Sequence, residues 1–271
     1  MRSERSKSPA GEGGALSTAQ YNAGKESAKV SGGVQPFTIS FGEQRAIAVQ
    51  ARPHTPPAQA LTALGLPPYR GIIVIHGGAG AMERSAMPAV RAFLADAVVP
   101  LAQAHQLLVA DGATQTGVAR LMGEARAAAR ATFPLLGVAP QRYVTYPGGP
   151  PPGQERYPLN PHHSHFIFVE GDGFGVESAL LVGLLRATSA PGFALIVNGG
   201  KIVMEEVRAQ AAQGNAIVIL RGSGRAADRL ADSASAERAS LPAGARLYLA
   251  EVRAPAAFGA LARRLLSLPA P

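Results

Sequence analysis

Four times in this chain a short run of β-branched and other apolar residues breaks on a glycine-rich loop and gives way to a helical pattern. Ile72–Ile75 leads into Gly77-Gly78-Ala79-Gly80, and Phe166–Val169 into Gly171-Asp172-Gly173-Phe174-Gly175. Phe193–Val197 leads into Asn198-Gly199-Gly200, and Ala216–Leu220 into Gly222-Ser223-Gly224-Arg225. Strands that read as continuous Val/Ile/Leu runs are buried on both faces, and their alternation with helices places them in a parallel sheet. The expected fold is therefore α/β: a Rossmann-like, doubly wound, mainly parallel sheet with helices on both faces. Ligands of such sheets bind outside the carboxyl ends of the strands, where all four loops fall.

The remaining pattern supplies strands at 107–110, 134–138 and 247–252, and helices at 84–104, 118–130, 177–188, 202–213 and 256–266. Upstream, Phe37–Phe41 and Ala46–Val49 alternate about Gly42-Glu43-Gln44, which predicts a β-hairpin closed off by Pro53 to Pro57. Pro147 to Asn160 is rich in Pro and Gly and too long for an ordinary connector, so a mobile loop or lid is expected. Residues 1–33 carry Ser, Gly, Ala and charges without apolar periodicity, the signature of a disordered tail. The expected organisation is thus a tail at 1–33, a hairpin and linker at 34–57, and a ligand-binding domain at 58–271.

Composition removes several function classes. With no cysteine, disulfides, thiolate metal sites and thiol nucleophiles are excluded. The net charge of +8 favours phosphate-bearing partners, but the basic residues are mostly scattered arginines, so a nucleic-acid surface is not expected. The N-terminus has no apolar signal segment, and no window approaches the about eighteen apolar residues of a membrane span, so a cytoplasmic protein without a membrane partner is expected.

The loops carry the chemistry. Glycines let backbone N–H groups approach a phosphate, a helix N-terminus adds partial positive charge, and Arg225 can add a bidentate fork. The candidate ligand contacts are His76, Gly77, Gly78, Ala79 and Gly80; Asp111, Gly112, Thr114 and Thr116 after the second strand; Gly173, Phe174 and Gly175; Asn198, Gly199 and Gly200; and Gly222, Ser223, Gly224 and Arg225. A carboxylate at Asp111 repels phosphate but suits ribose hydroxyls. The same glycines also fit plain strand-to-helix turns, Arg225 fits a surface arginine, Phe174 fits a core aromatic, and Asp228 fits a carboxylate stabilising the first turn of its helix. His162, His163 and His165 lack a further ligand at metal spacing, so no metal site is expected. Residues 222–227 fit the Gly-X-Gly-X-X-Ala dinucleotide fingerprint, yet they open one of the last strand–helix units instead of the first, which weakens a hydride-transfer reading.

Four segments resemble a known family. His76-Gly-Gly-Ala-Gly80, Thr116-Gly-Val-Ala-Arg-Leu-Met-Gly-Glu124, His163-Ser-His-Phe-Ile-Phe-Val169 and Gly222-Ser-Gly-Arg-Ala-Ala-Asp228 stand in the order and approximate spacing of the N-terminal cytosolic domain of melastatin-type TRP channels. That domain is a Rossmann-like module of the SLOG superfamily, distantly related to LOG-type phosphoribohydrolases. The chain is similar to the free-standing prokaryotic form of the module, which implies a sensor of nucleotide-derived signals such as ADP-ribose or a cyclic relative. By the resemblance no cofactor is required, a homodimer is plausible, and the downstream effector stays open. In the ADP-ribose-gated channel the first loop cradles the ligand, which maps to Gly77, Gly78 and Ala79. The phosphate-binding arginine maps to Arg225, and a ligand-facing tyrosine maps to Phe174. A second ligand arginine of that channel falls on Leu181, a departure that bears on ADP-ribose itself. The family's Thr-Gly-Gly is Asp111-Gly112-Ala113 here. His163 and His165 are expected to orient the strand end through backbone hydrogen bonds.

Two other readings stand beside the sensor. LOG-type enzymes split nucleotides with a Pro-Gly-Gly-X-Gly-Thr-X-X-Glu loop and an arginine. Gly173-Phe174-Gly175-Val176-Glu177 occupies a similar place, with Glu177 as the candidate catalytic carboxylate and Arg120 or Arg126 as the arginine. Glu177 at a helix start also fits simple stabilisation of the helix dipole. The third reading is a scaffold whose cleft holds no ligand.

Overall fold

The computed structural model describes residues 34–78, 80 and 82–269; the expected tail at 1–33 and the loop residue Ala79 lie outside the described residues. A nine-stranded sheet runs β1-β2-β8-β5-β4-β3-β9-β10-β11. Its strands are β1 (Pro36–Phe41), β2 (Gln44–Ala51), β3 (Ile72–Gly77), β4 (Leu108–Asp111), β5 (Leu135–Pro140), β8 (His165–Val169), β9 (Gly192–Val197), β10 (Ala216–Arg221) and β11 (Arg246–Glu251). A separate two-residue pair joins β6 (Val144–Thr145) to β7 (Tyr157–Pro158). Every pairing in the main sheet is parallel except β1 with β2.

The expected hairpin forms around Gly42, whose φ of 66° suits a residue without a Cβ. It is no appendage: β2 lies parallel to β8 with Ile47 opposite His165, so the hairpin extends the central sheet. The described residues from 34 onward form one compact unit.

In the middle of the sheet strand side chains alternate between two cores, while Ile39, Ala48, Phe166 and Phe168 form a third at the hairpin end. Ile73 and Ile75 of β3 join the face covered by α2 (Met87–Phe93), α3 (Val99–His105), α4 (Gly117–Ala128) and α9 (Pro255–Leu265). Ile72 and Val74 join the opposite face, covered by α1 (Pro57–Leu64), α5 (Ser178–Gly183), α6 (Lys201–Ala212) and α7 (Arg225–Ala231). This is the two-period pleat of a doubly wound sheet. Short α8 (Ala236–Ala239) follows α7.

Two local departures have sequence causes. The helix expected from 84 to 104 begins at Met87 and widens into a π turn over Leu94–Val98. Pro100 cannot donate to the carbonyl of residue 96 and its ring would press on it; Val99 N–H bonds Leu94 O instead, the π spacing that makes room. The helix expected to Thr188 ends as α at Gly183 and continues as a 3₁₀ turn over Leu184–Arg186. Gly183 is where α1 comes close, since a Cβ there would lie 2.7 Å from Pro57 Cγ.

Candidate functional site

β3 and β9 lie side by side, but the chain leaves β3 toward β4 and leaves β9 toward β10. Their carboxyl ends form the topological switch point where such sheets open a crevice. A cavity of about 470 Å³ sits there. His76, Gly77, Gly78, Gly80, Asp111, Gly112, Thr114, Thr116, Phe174, Glu177, Gly200 and Arg225 line it, together with Glu206 and with residues for which the sequence carried no signal, chiefly Tyr157, Lys201 and Ile202.

The first loop owes its glycine to packing. A Cβ on Gly77 would stand 2.6 Å from Val118 Cβ, so glycine lets α4 approach the end of β3, and Val118 N–H bonds Gly78 O. The N-termini of α4 and α6, twelve residues each, both border the cavity, and no side chain caps either. Apart from Val118 N–H, which Gly78 O takes, their first-turn amides therefore carry the partial positive charge of a helix start toward that space. Arg225 reinforces the α6 side. Its Nη1 reaches Gly80 O at 3.4 Å, and its Nη2 is so near Gly200 that a Cβ there would meet it at 3.1 Å. Among the described residues neither Arg225 nor Lys201 makes an ion pair.

The Gly222-Ser223-Gly224 turn, expected as a phosphate cradle, is not brought to the cavity. The Asp228 carboxylate accepts Gly222 N–H at 2.6 Å and Gly224 N–H at 3.2 Å, and so fills the anion position from within the chain. Asp228, expected to stabilise the first turn of its helix, does so from the N-cap Gly224 back to Gly222. Ser223 is buried: its Oγ accepts Asn198 N–H and donates to Leu220 O. The start of α7 is closed too, because Ala226 N–H and Ala227 N–H bond the carbonyls of Gly199 and Asn198. Of this segment Arg225 alone lines the cavity; Asn198 and Gly199 hold the β9 and β10 loops together behind it.

Around Phe174 the flanking glycines serve the loop. Gly173 N–H bonds the Tyr143 hydroxyl and Gly175 N–H bonds Glu177 Oε2, and neither glycine lines the cavity. Phe174 itself is 47% exposed and Tyr157 41%, unusual for large aromatics. Their ring centroids lie 5.7 Å apart, and Tyr143 packs behind Phe174 at 4.6 Å. Tyr157 arrives on the Pro/Gly excursion, which is tied to the β4 loop by Gln115 N–H to Pro158 O and Asn160 N–H to Ala113 O.

Two carboxylates face the cavity from the α5–α6 side. Burial pushes the Glu177 carboxyl above its ordinary value, against the hydrogen bonds it accepts from its own backbone N–H and that of Gly175. Burial acts the same way on Glu206, but His76, 2.9 Å away, and Ser178, at 2.6 Å, outweigh it and hold that carboxyl below the ordinary value. Glu206 was within reach of sequence: the nine-position Pro-Gly-Gly-X-Gly-Thr-X-X-Glu spacing, counted from Asn198, aligns Gly199 and Gly200 and ends on Glu206. Neither Arg120 nor Arg126 reaches the cavity. Arg120 lies near Glu124 and Met87, and Arg126 bonds the carbonyls of Phe133 and His162. Leu181 lines it as a buried apolar residue.

The histidines behave differently from expectation. The His163 ring bonds the Asp111 side chain at 2.8 Å and the His165 ring bonds Ser164 Oγ at 2.8 Å; neither ring bonds backbone. Among the described residues no cluster of three His, Asp or Glu side chains could hold a metal. No helix of the described residues is long and apolar enough to cross a membrane.

A comparison with curated proteins returned no match. The sequence model of the family described as SLOG in TRPM, prokaryote, matches residues 70–258, from just before β3 into α9 and so including every loop around the cavity. The chain belongs to the prokaryotic branch of the SLOG domains found in TRPM channels.

Proposed function

We propose that this SLOG domain binds a nucleotide-derived diphosphate of the ADP-ribose type, as a ligand-sensing module. The observation that carries the reading is the Arg225 guanidinium set beside Gly200, at the uncapped start of α6 with Lys201 next in line. Two sources of positive potential, one from the backbone and one from side chains, converge on one end of a cavity sized for a nucleotide. The exposed Phe174 and Tyr157 rings offer stacking faces for a base at the mouth.

Titration calorimetry with ADP-ribose, followed by mass spectrometry of the same solution, tests this. Saturable binding of intact ligand is expected. Arg225→Ala should weaken it about ten- to a hundredfold, the worth of a hydrogen bond to a charged group. Undiminished affinity in that variant removes Arg225 as a phosphate contact.

A second reading, N-glycosidic hydrolysis, is favoured by the opposite shifts of Glu177 and Glu206 in one cavity. A carboxyl whose pKa is pushed up beside one whose pKa is held down is the divergence that acid–base chemistry uses. Glu177 would donate its proton to the departing base as the C–N bond breaks. Glu206 would take the proton of the water that forms the new C–O bond. Released base in the mass spectrum selects this reading, and its loss in Glu206→Gln assigns the carboxylate.

A further inference from the structure

Asp111 is an acceptor left half used. It sits at the end of β4, 2% exposed, and borders the cavity. Its Oδ1 accepts two hydrogen bonds, from Ala113 N–H at 2.8 Å and from His163 Nε2–H at 2.8 Å. Its Oδ2 is buried and has no partner among the described residues. A buried carboxylate oxygen without a donor is costly, and native folds rarely keep one idle.

The surroundings define the missing donor. Thr114 and Thr116 line the same end of the cavity, their hydroxyls 2.9 Å apart. One of those hydroxyls donates to the other, which leaves a single hydroxyl proton to offer a ligand. The wall thus presents one strong acceptor beside one spare donor. A ligand ammonium would satisfy Oδ2 but would be repelled by Lys201 and Arg225 across the cavity, and a phosphate would be repelled by the carboxylate itself. A vicinal diol fits: one hydroxyl donates to Oδ2 and its neighbour accepts from the threonine pair.

The arrangement is held from behind. Ala113 keeps a φ of 67°, uncommon without glycine, and its Cβ packs where β5 offers only Gly137, at 2.5 Å from the position a Cβ would take there. The His163 ring, stacked on Phe166 at 5.6 Å, is buried and aims its Nε2–H at Oδ1, so that Oδ2 is the oxygen without a donor.

Resting on the diphosphate reading above, we infer that Asp111 is the specificity-determining residue of the cavity: it takes a nucleotide whose ribose diol is unmodified and rejects deoxy and 2′-phosphorylated forms, with His163 as its positioning residue. The probes are ADP-ribose, its two monodeoxy analogues (lacking the 2′-hydroxyl of the adenosine ribose or of the terminal ribose) and ADP-ribose 2′-phosphate, titrated into the full chain. One monodeoxy analogue should bind the wild-type protein about tenfold more weakly than ADP-ribose, as expected when a charged hydrogen bond is lost. Asp111→Asn should bind that analogue and ADP-ribose alike. His163→Phe, which keeps the stacking on Phe166 but not the N–H, should shrink the same ratio, and His163→Gln should restore part of it. Equal binding of both analogues by the wild-type protein overturns the assignment without recourse to any variant. So does a ratio that survives intact in a folded Asp111→Asn. If ADP-ribose binds and Arg225→Ala weakens it while the analogues bind equally, the diol assignment alone falls; if ADP-ribose does not bind at all, the diphosphate reading falls and takes this one with it.

Discussion

His76 Nδ1 lies 2.9 Å from Glu206 Oε2 beneath the cavity, and the proton between them is assigned by a chain of amides that ends at an arginine. Arg186 Nε can only donate, and it bonds Asn215 Oδ1 at 3.2 Å. Asn215 must then donate from Nδ2, 2.5 Å from Gln210 Oε1, and Gln210 must donate from Nε2 to His76 Nε2 at 2.9 Å. His76 is left with its proton on Nδ1, aimed at Glu206. Arg186, on the 3₁₀ turn after α5 and beside the C-terminal end of α6, thus sets the polarity of a carboxylate that lines the cavity.

His76→Leu removes the donor and leaves the buried Glu206 carboxylate short of a partner. Urea unfolding at neutral pH should show a loss of about 1–3 kcal/mol, the cost of leaving a buried acceptor without its donor. Because Glu206 titrates below its ordinary value in the folded protein, the stability it contributes is present above the carboxylate range and fades as pH falls through the folded value. The gap between variant and wild type should therefore narrow in acid. A constant gap would mean that the pair is not what the substitution removed.

Gly77→Ala should cost about 1–3 kcal/mol, the range of an overpacked contact, because its methyl would sit 2.6 Å from Val118 Cβ. Adding Val118→Ala should recover part of the loss. Gly112, whose Cβ would meet nothing within 4 Å, is the control: Gly112→Ala should leave the melting temperature nearly unchanged.

Phe174→Ala should reduce ADP-ribose affinity by about 1–3 kcal/mol if the ring stacks on a base. With the side chain 47% exposed, thermal stability should hardly move. Equal loss of stability and affinity would assign Phe174 to the scaffold instead.

Asp228→Ala should destabilise by about 1–2 kcal/mol, the cost of removing a side-chain cap from backbone amides, here those of Gly222 and Gly224. Ligand affinity should change far less than in Arg225→Ala. A larger effect on binding than on folding would return the Gly222–Gly224 turn to the ligand site.

His165 is held down to about 4 by burial first and by the Arg126 charge second, against an ordinary 6.5. Between those two values the unfolded chain binds the proton and the folded chain does not, so stability is complete above pH 6.5 and falls as pH drops toward 4. The full effect is about 3 kcal/mol at one pKa unit per 1.36 kcal/mol. His165→Phe should flatten unfolding free energy measured between pH 7 and pH 4.5; an unchanged slope would place the titration elsewhere.

Much of this protein was written locally. Runs such as Ile72–Ile75 and Phe193–Val197 are apolar on every residue because both faces of the sheet are covered, and that alone specifies an α/β fold and puts His76, Gly78, Asp111, Phe174 and Gly200 at one edge. The Pro100 π turn and the sharing of β2 with the main sheet were not legible, since the first depends on which carbonyl a ring meets and the second on a pairing more than a hundred residues distant. The site divides the same way. Glycine spacing marks a loop that can hold an anion, but whether its amides are free is settled by what else reaches them: Asp228 fills the Gly222–Gly224 turn, while the start of α6 stays uncapped beside Arg225. Residue order determines which groups exist and which strand ends carry them. Only the tertiary structure decides which are already paired, because hydrogen-bond partners such as Asp111 with His163, or His76 with Glu206, are brought together by packing of elements far apart in the chain.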